Sequence, residues 1–224
     1  AFNADYFIRS TDNIEIPGYA ESKILRDLEE AEGGGEEEEG EEEAFGVVEN
    51  ADSETHGGAL GVSFVNDRGF LGVSLSTFDS EYGLPGPHHH DVEAPLPGEP
   101  VEEEELVRID LAQTRVDAKG EYDLDGRLLS GIRFRGAVND YKHIELEGEE
   151  TGTVFEVRGT EGRIELRHAK IGNLEGAIGL QYKRVDFDAI GDEAFVPASD
   201  TKSTSLFLFE EWAISDAWIL QGSA

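Results

Sequence analysis

Residues 174–183, LEGAIGLQYK, alternate without error. Leu174, Gly176, Ile178, Leu180 and Tyr182 fall on one side, and Glu175, Ala177, Gly179, Gln181 and Lys183 on the other. A period of two predicts a strand with one apolar and one polar face. The same grammar recurs elsewhere. Val107, Ile109 and Leu111 alternate with Arg108 and Asp110, and Ile132, Phe134, Gly136 and Val138 with Arg133, Arg135 and Ala137. Leu71, Val73 and Leu75 alternate with Gly72 and Ser74. Nine strands are predicted, at about 1–10, 58–66, 69–79, 105–118, 127–144, 152–168, 173–188, 202–213 and 216–224. Residues 206–209, LFLF, are apolar on both faces, so the side that is polar elsewhere must here meet a packed partner.

The connections carry a second pattern. Residues 66–68, 168–173 and 214–216 are short links and 120–126 is moderate, while long links fall at about 11–57, 80–104, 145–151 and 189–201. Short and long alternate in strict order. A soluble sandwich has no reason to sort its loops by parity, whereas a bacterial barrel has short periplasmic turns and long extracellular loops. The predicted fold class is therefore all-β: an antiparallel transmembrane β-barrel with about nine recognisable strands. Residues 1–224 belong to that one domain, and 19–57 and 80–104 are its long acidic extracellular loops. Ile178, Leu180, Tyr182, Ile132, Phe134, Leu71, Val73 and Leu75 are predicted to face lipid, and Arg133, Arg135, Gln181 and Lys183 to face inward. Tyr6, Phe7, Phe78, Tyr82, Tyr141, Phe187, Trp212 and Trp218 sit near strand ends, as interfacial girdles would. No run approaches the ~18 apolar residues of a transmembrane helix, but a barrel strand needs only about 9–11.

Charge narrows the partners. Asp+Glu 50 against Lys+Arg 18 gives a formal net charge of −32, a field that repels nucleic acid and concentrates cations. Residues 29–43 and 102–105 are like-charge blocks, predicted to be disordered or cation-bound, and 24–32 is a possible short helix. With no cysteine there is no disulfide framework or thiolate site, and with no methionine either, a Cu(I) site is disfavoured. The absent initiator and absent secretory h-region lead to the expectation that the chain starts after processing or excision.

The sharpest chemistry lies in residues 81–91, EYGLPGPHHHD. His88, His89 and His90 stand beside Asp91, and imidazole nitrogen with carboxylate oxygen suits Zn²⁺, Ni²⁺ or Cu²⁺. In an extended backbone His88 and His90 share a side and His89 points away. Loop parity also places His56 at that end, with His143, Glu145 and Glu147 at the top of a strand that ends there. The candidate metal set is therefore His88, His89, His90, Asp91, His143, Glu145 and His56, against the alternative of a solvated loop with incidental histidines. His168 falls at the opposite end and reads as structural. No nucleophile elbow, phosphate loop or metalloprotease helix motif is present, and the chain does not read as an enzyme.

Six runs carry a family resemblance: DYFIRSTDNIEIPG (5–18), SEYGLPGPHHH (80–90), VRIDLAQTRVD (107–117), NDYKHIELEG (139–148), GTVFEVRGTEGRIELRH (152–168) and GAIGLQYKRVDFDAIGDEAFVP (176–197). In these the chain resembles TonB-dependent outer-membrane receptors, and among them the zinc-uptake (ZnuD-like) group. The resemblance implies import of zinc or a zinc complex across a Gram-negative outer membrane, energised by TonB through a plug domain, in a setting of bilayer lipid and lipopolysaccharide. Against that pattern the sequence is expected to lack the plug, and it supplies about nine strands where the family's barrel has ~22. The expectation is thus a barrel fragment. Two alternatives are open on the sequence. One is a receptor for a siderophore or other organic ligand. The other is an acidic surface adhesin module that binds Ca²⁺ in its carboxylate-rich loops.

Overall fold

The computed structural model describes residues 1–24, 26–27, 44–85, 106–148, 150–191 and 194–224. The strands are β1 (Phe2–Thr11), β2 (Ile14–Tyr19), β3 (Phe45–Val48), β4 (Ser53–Asn66), β5 (Gly69–Gly83), β6 (Val107–Asp123), β7 (Leu129–Glu147), β8 (Glu150–His168), β9 (Leu174–Ile190), β10 (Ser199–Ser215) and β11 (Trp218–Ser223). Nine of them form one sheet in the order β1-β4-β5-β6-β7-β8-β9-β10-β11, every neighbouring pair antiparallel. Each predicted strand has its counterpart there. β2 and β3 pair separately and lie inside what reads, by sequence, as one long loop. The sheet is open, with β1 and β11 as its edges, and among the described residues no second sheet packs on it. Among the described residues no helix is long and apolar enough to cross a membrane.

One end of the sheet carries the connections at 67–68, 124–128, 169–173 and 216–217. The other carries the links from β1 to β4, from β5 to β6, from β7 to β8 and from β9 to β10. We call these the turn end and the loop end. The sorting by end holds; the sorting by length fails once. Residues 145–151, expected as a long link, are mostly ladder: Glu147 pairs with Glu150, and the connection is residues 148–149. Gly148, at φ 57, supplies the positive φ that a two-residue hairpin needs. The 120–126 link also moves, because β6 and β7 stay paired as far as Asp123 and Gly131.

Partners across a ladder share a face, so the register allows each face to be read across all nine strands. Near the turn end, the front face is an apolar band. It includes Val62, Leu71, Val116, Phe134, Ile164, Leu180 and Leu206, each aligned with its neighbour or within two same-face steps of it. Leu71 is 51% exposed, Leu180 44% and Leu206 71%. The eight residues predicted to face outward all lie on this face, and Arg133, Arg135, Gln181 and Lys183 all lie on the other. Among the described apolar side chains only Ile109 and Ala137 are buried, so the sheet encloses no hydrophobic core.

The amphipathic pattern reverses along the strands. In β9 the apolar positions run 174 to 182 on the front face, then change phase to Val185, Phe187 and Ala189 on the back. The phase change recurs in the neighbouring strands. It produces a back-face row at the loop end in which Phe7, Gly57, Phe78, Gln113, Tyr141, Val157 and Phe187 follow one another in register. The expected aromatic girdle therefore divides. Tyr6 and Trp212 border the front band, with Trp218 beyond the latter on the same face, whereas Phe7, Phe78, Tyr82, Tyr141 and Phe187 belong to the back face. The LFLF segment divides too: Phe207 lies over Gly179 on the back face, with the Arg163 guanidinium 4.0 Å above its ring.

Candidate functional site

His88, His89, His90 and Asp91 lie outside the described residues. The structure does describe the stem of the loop that carries them. The amide of Leu84 donates to the carbonyl of Val107 (3.0 Å), and the side-chain amide of Asn50 donates to the carbonyls of both Leu84 (2.9 Å) and Val107 (2.8 Å). Asn50 is buried, at 6% exposure, with φ 52, a backbone region that asparagine tolerates better than most residues. Gly83 abuts it so closely that any Cβ there would collide with Asn50.

Arg108 completes this clasp. Its Nη1 donates to Asn50 Oδ1 (3.3 Å) and Asp52 Oδ1 (3.0 Å), its Nη2 to Asp52 Oδ2 (3.0 Å) and its Nε to Glu81 Oε1 (3.1 Å). The hydrogen bond from Arg108 holds the Asp52 carboxyl below the usual carboxylate range, and Asp52 in turn raises Arg108. Residues 50–52, the end of β5 and the start of β6 are thereby tied together. Both long connections spring from this knot. Nothing in the spacing of residues 50, 83 and 108 reveals such contacts; the only local signal was an Asn-Ala-Asp turn former ahead of a strand.

The described candidate ligands divide between the two faces. His56, on β4, faces front with Asp79, its Nε2 3.6 Å from Asp79 Oδ2. His143, on β7, faces back, opposite Leu111 and Phe155. Its Nδ1 shares a 2.9 Å hydrogen bond with the Tyr141 hydroxyl, and its ring centroid lies 4.5 Å from that of Phe155. Glu145 follows on the back face, at the register shift between Ile144 and Leu146. His143 and Glu145 are thus two positions apart on one face, about 7 Å along the strand. His56 and His143 cannot serve one ion, because the sheet stands between them. Among the described residues no group of three or more His, Asp or Glu is close enough to hold a metal ion. His168 is at the turn end, as expected, with Nε2 3.1 Å from Glu210 Oε2 and Nδ1 2.8 Å from the Ala169 carbonyl.

Below the aromatic row, the back face carries a network of ion pairs. Arg115 meets Asp117 (2.9 Å) and Glu161 (3.4 Å), Arg133 meets Glu121 (3.1 Å) and Glu165 (3.7 Å), Arg163 meets Glu165 (2.7 Å), and Arg167 meets Glu121 (3.3 Å) and Asp123 (2.5 Å). No protein-family model matches the chain.

Proposed function

We propose that this sheet is a section of the wall of an outer-membrane β-barrel in a Gram-negative bacterium, belonging to a TonB-dependent receptor that imports zinc or a zinc complex. The observation that carries the membrane part of the reading is the continuous apolar band on an exposed face. From Leu174, opposite Trp212, to Tyr182 it runs about 26 Å along the strand at ~3.3 Å per residue, or roughly 20 Å in height at a barrel's usual tilt. An apolar band of ~25 Å with aromatic rims is the exterior of such a barrel, and an ion-paired back face suits its wet lumen. Bilayer lipid would cover the band, with lipopolysaccharide outside it, and TonB would act through a plug domain. The open edges fit this reading as well. β1 and β11 run in the same direction, so an all-antiparallel barrel closes over this sheet only with an odd number of further strands.

The zinc part rests on the resemblance and on the histidine- and acid-rich loop end. The chain is read as a transport wall with no enzymatic step. Tryptophan depth tests the membrane part directly. The chain's two tryptophans, Trp212 and Trp218, are both on the front face near the turn end. In reconstituted vesicles, phospholipids brominated on their acyl chains should quench this fluorescence strongly and aqueous acrylamide weakly. Strong acrylamide quenching with no effect of bromine would defeat the reading.

A further inference from the structure

Arg135 stands at the centre of a row of like charges. On the back face Lys119 is directly opposite Arg135, and Arg135 directly opposite Arg163. Residues so placed have Cβ atoms ~4.5–5.5 Å apart, where like charges destabilise a sheet. In a chain with Asp+Glu 50 and Lys+Arg 18, three adjoining cations are what composition makes least available. The acids nearby are already committed: Asp117 and Glu161 to Arg115, Glu121 to Arg133, Glu165 to Arg133 and Arg163. Lys119 and Arg135 have no ion pair or side-chain hydrogen bond among the described residues. Both line a recess of about 460 Å³, whose wall also includes Arg115, Arg133 and Arg163 together with the carboxylates Asp117, Glu121 and Glu161 that pair with Arg115 and Arg133, so the cations outnumber the acids there.

That volume suits a small molecule; a protein partner would need roughly 800 Å² of surface. One free guanidinium fork and one free ammonium, side by side, are the complement of an oxyanion with two charges or more. We propose that the Lys119–Arg135 recess binds a small oxyanion of at least two negative charges, such as a phosphate or a polycarboxylate. The bound charge would offset the repulsion that the empty row imposes. The inference does not depend on the metal reading. If both hold, the transport path accepts a chelated metal through the chelator's negative charge.

Calorimetric titration of the full chain in zwitterionic detergent, with inorganic phosphate and with citrate at constant ionic strength, tests it. Saturable binding of one or both is expected, with chloride inert; the anion that binds identifies the class. Arg135→Gln and Lys119→Gln should each weaken binding at least tenfold, whereas Lys202→Gln, on the front face, should leave it unchanged. Thermal unfolding guards against misfolding. Without anion, Arg135→Gln should melt no lower than the parent chain, because a repulsion has been removed, and added anion should raise the parent's midpoint alone. The proposal fails if neither anion binds better than chloride. It also fails if Arg135→Gln binds like the parent, or melts below it in anion-free buffer.

Discussion

At the scale of single residues, the decisive side chain is Asn50. It is buried, takes a left-handed backbone conformation and donates two hydrogen bonds to the stem of the histidine-bearing loop. Asn50→Ala removes two hydrogen bonds and the acceptor for Arg108, taking from the Leu84 carbonyl its Asn50 partner and leaving the Val107 carbonyl with the Leu84 amide. A loss of about 2–3 kcal/mol is expected in chemical denaturation. Asn50→Asp, which keeps the acceptor and the backbone preference but loses the amide donors, should recover only part of it. Asp52 makes a pH-dependent contribution whose sign follows from its lowered pKa. A carboxyl held below its unfolded value near ~3.9 stabilises the fold above that value, and the contribution is lost as pH falls through the folded value. The stability gap between the parent and Asp52→Asn should therefore be constant above about pH 5 and close below about pH 4. A gap that widened in acid would mean Asp52 is not held by Arg108 in the folded chain.

At the scale of elements, alternation was legible because it is local, and its limits were legible for the same reason. The run 174–182 announced β9, and the strand predicted over 173–188 is found at Leu174–Ile190, but Val185, Phe187 and Ala189 continue it in the opposite phase. A period-two count that drops out of phase does not say which face it turns to; only the ladder shows that the apolar positions change sides. Val107, Ile109 and Leu111 obey the same rule as Leu180 but lie on the back face, a distinction that needs the register of β6 against β5 and β7. The β2–β3 hairpin was hidden because Phe45–Val48 has four residues and its partner lies beyond a glutamate run. The faces make a sharp prediction. Leu180→Lys puts a charge in the middle of the front band and should cost about 2–4 kcal/mol in bilayer or micelle. Lys183→Gln, three residues on and facing back, should stay within roughly 0.5 kcal/mol. Unfolding in urea from lipid vesicles compares the two; equal effects would deny that the front face is a lipid face.

At the scale of the whole molecule, what matters is that the sheet separates its own histidines. Sequence parity correctly gathered His56 and His143 at the loop end, but the count of residues along a strand decides the face, and it sends them to opposite sides. A zinc site that includes the His88–His90 loop can therefore recruit His143, with Glu145 beside it, or His56, with Asp79, and not both. Under the proposed import reading the inward choice is the consistent one, because the back face would be the lumen side of the wall. Replacing His88–His90 by alanine should weaken zinc binding at fixed salt, and affinity should fall as pH drops through ~6.5, where imidazole protonates. Neutralising the glutamates of 29–43 should mainly flatten the salt dependence, since their pull is long-range and screened. The two faces are separated by a double-mutant comparison in titration calorimetry. If His143 completes the site, His143→Ala should weaken zinc in the parent chain and add little once the three loop histidines are gone, while His56→Ala should be silent in both backgrounds. The reverse outcome would place capture on the front face, outside the barrel wall. Unchanged affinity in the triple-alanine chain would leave the loop histidines as ordinary solvated side chains.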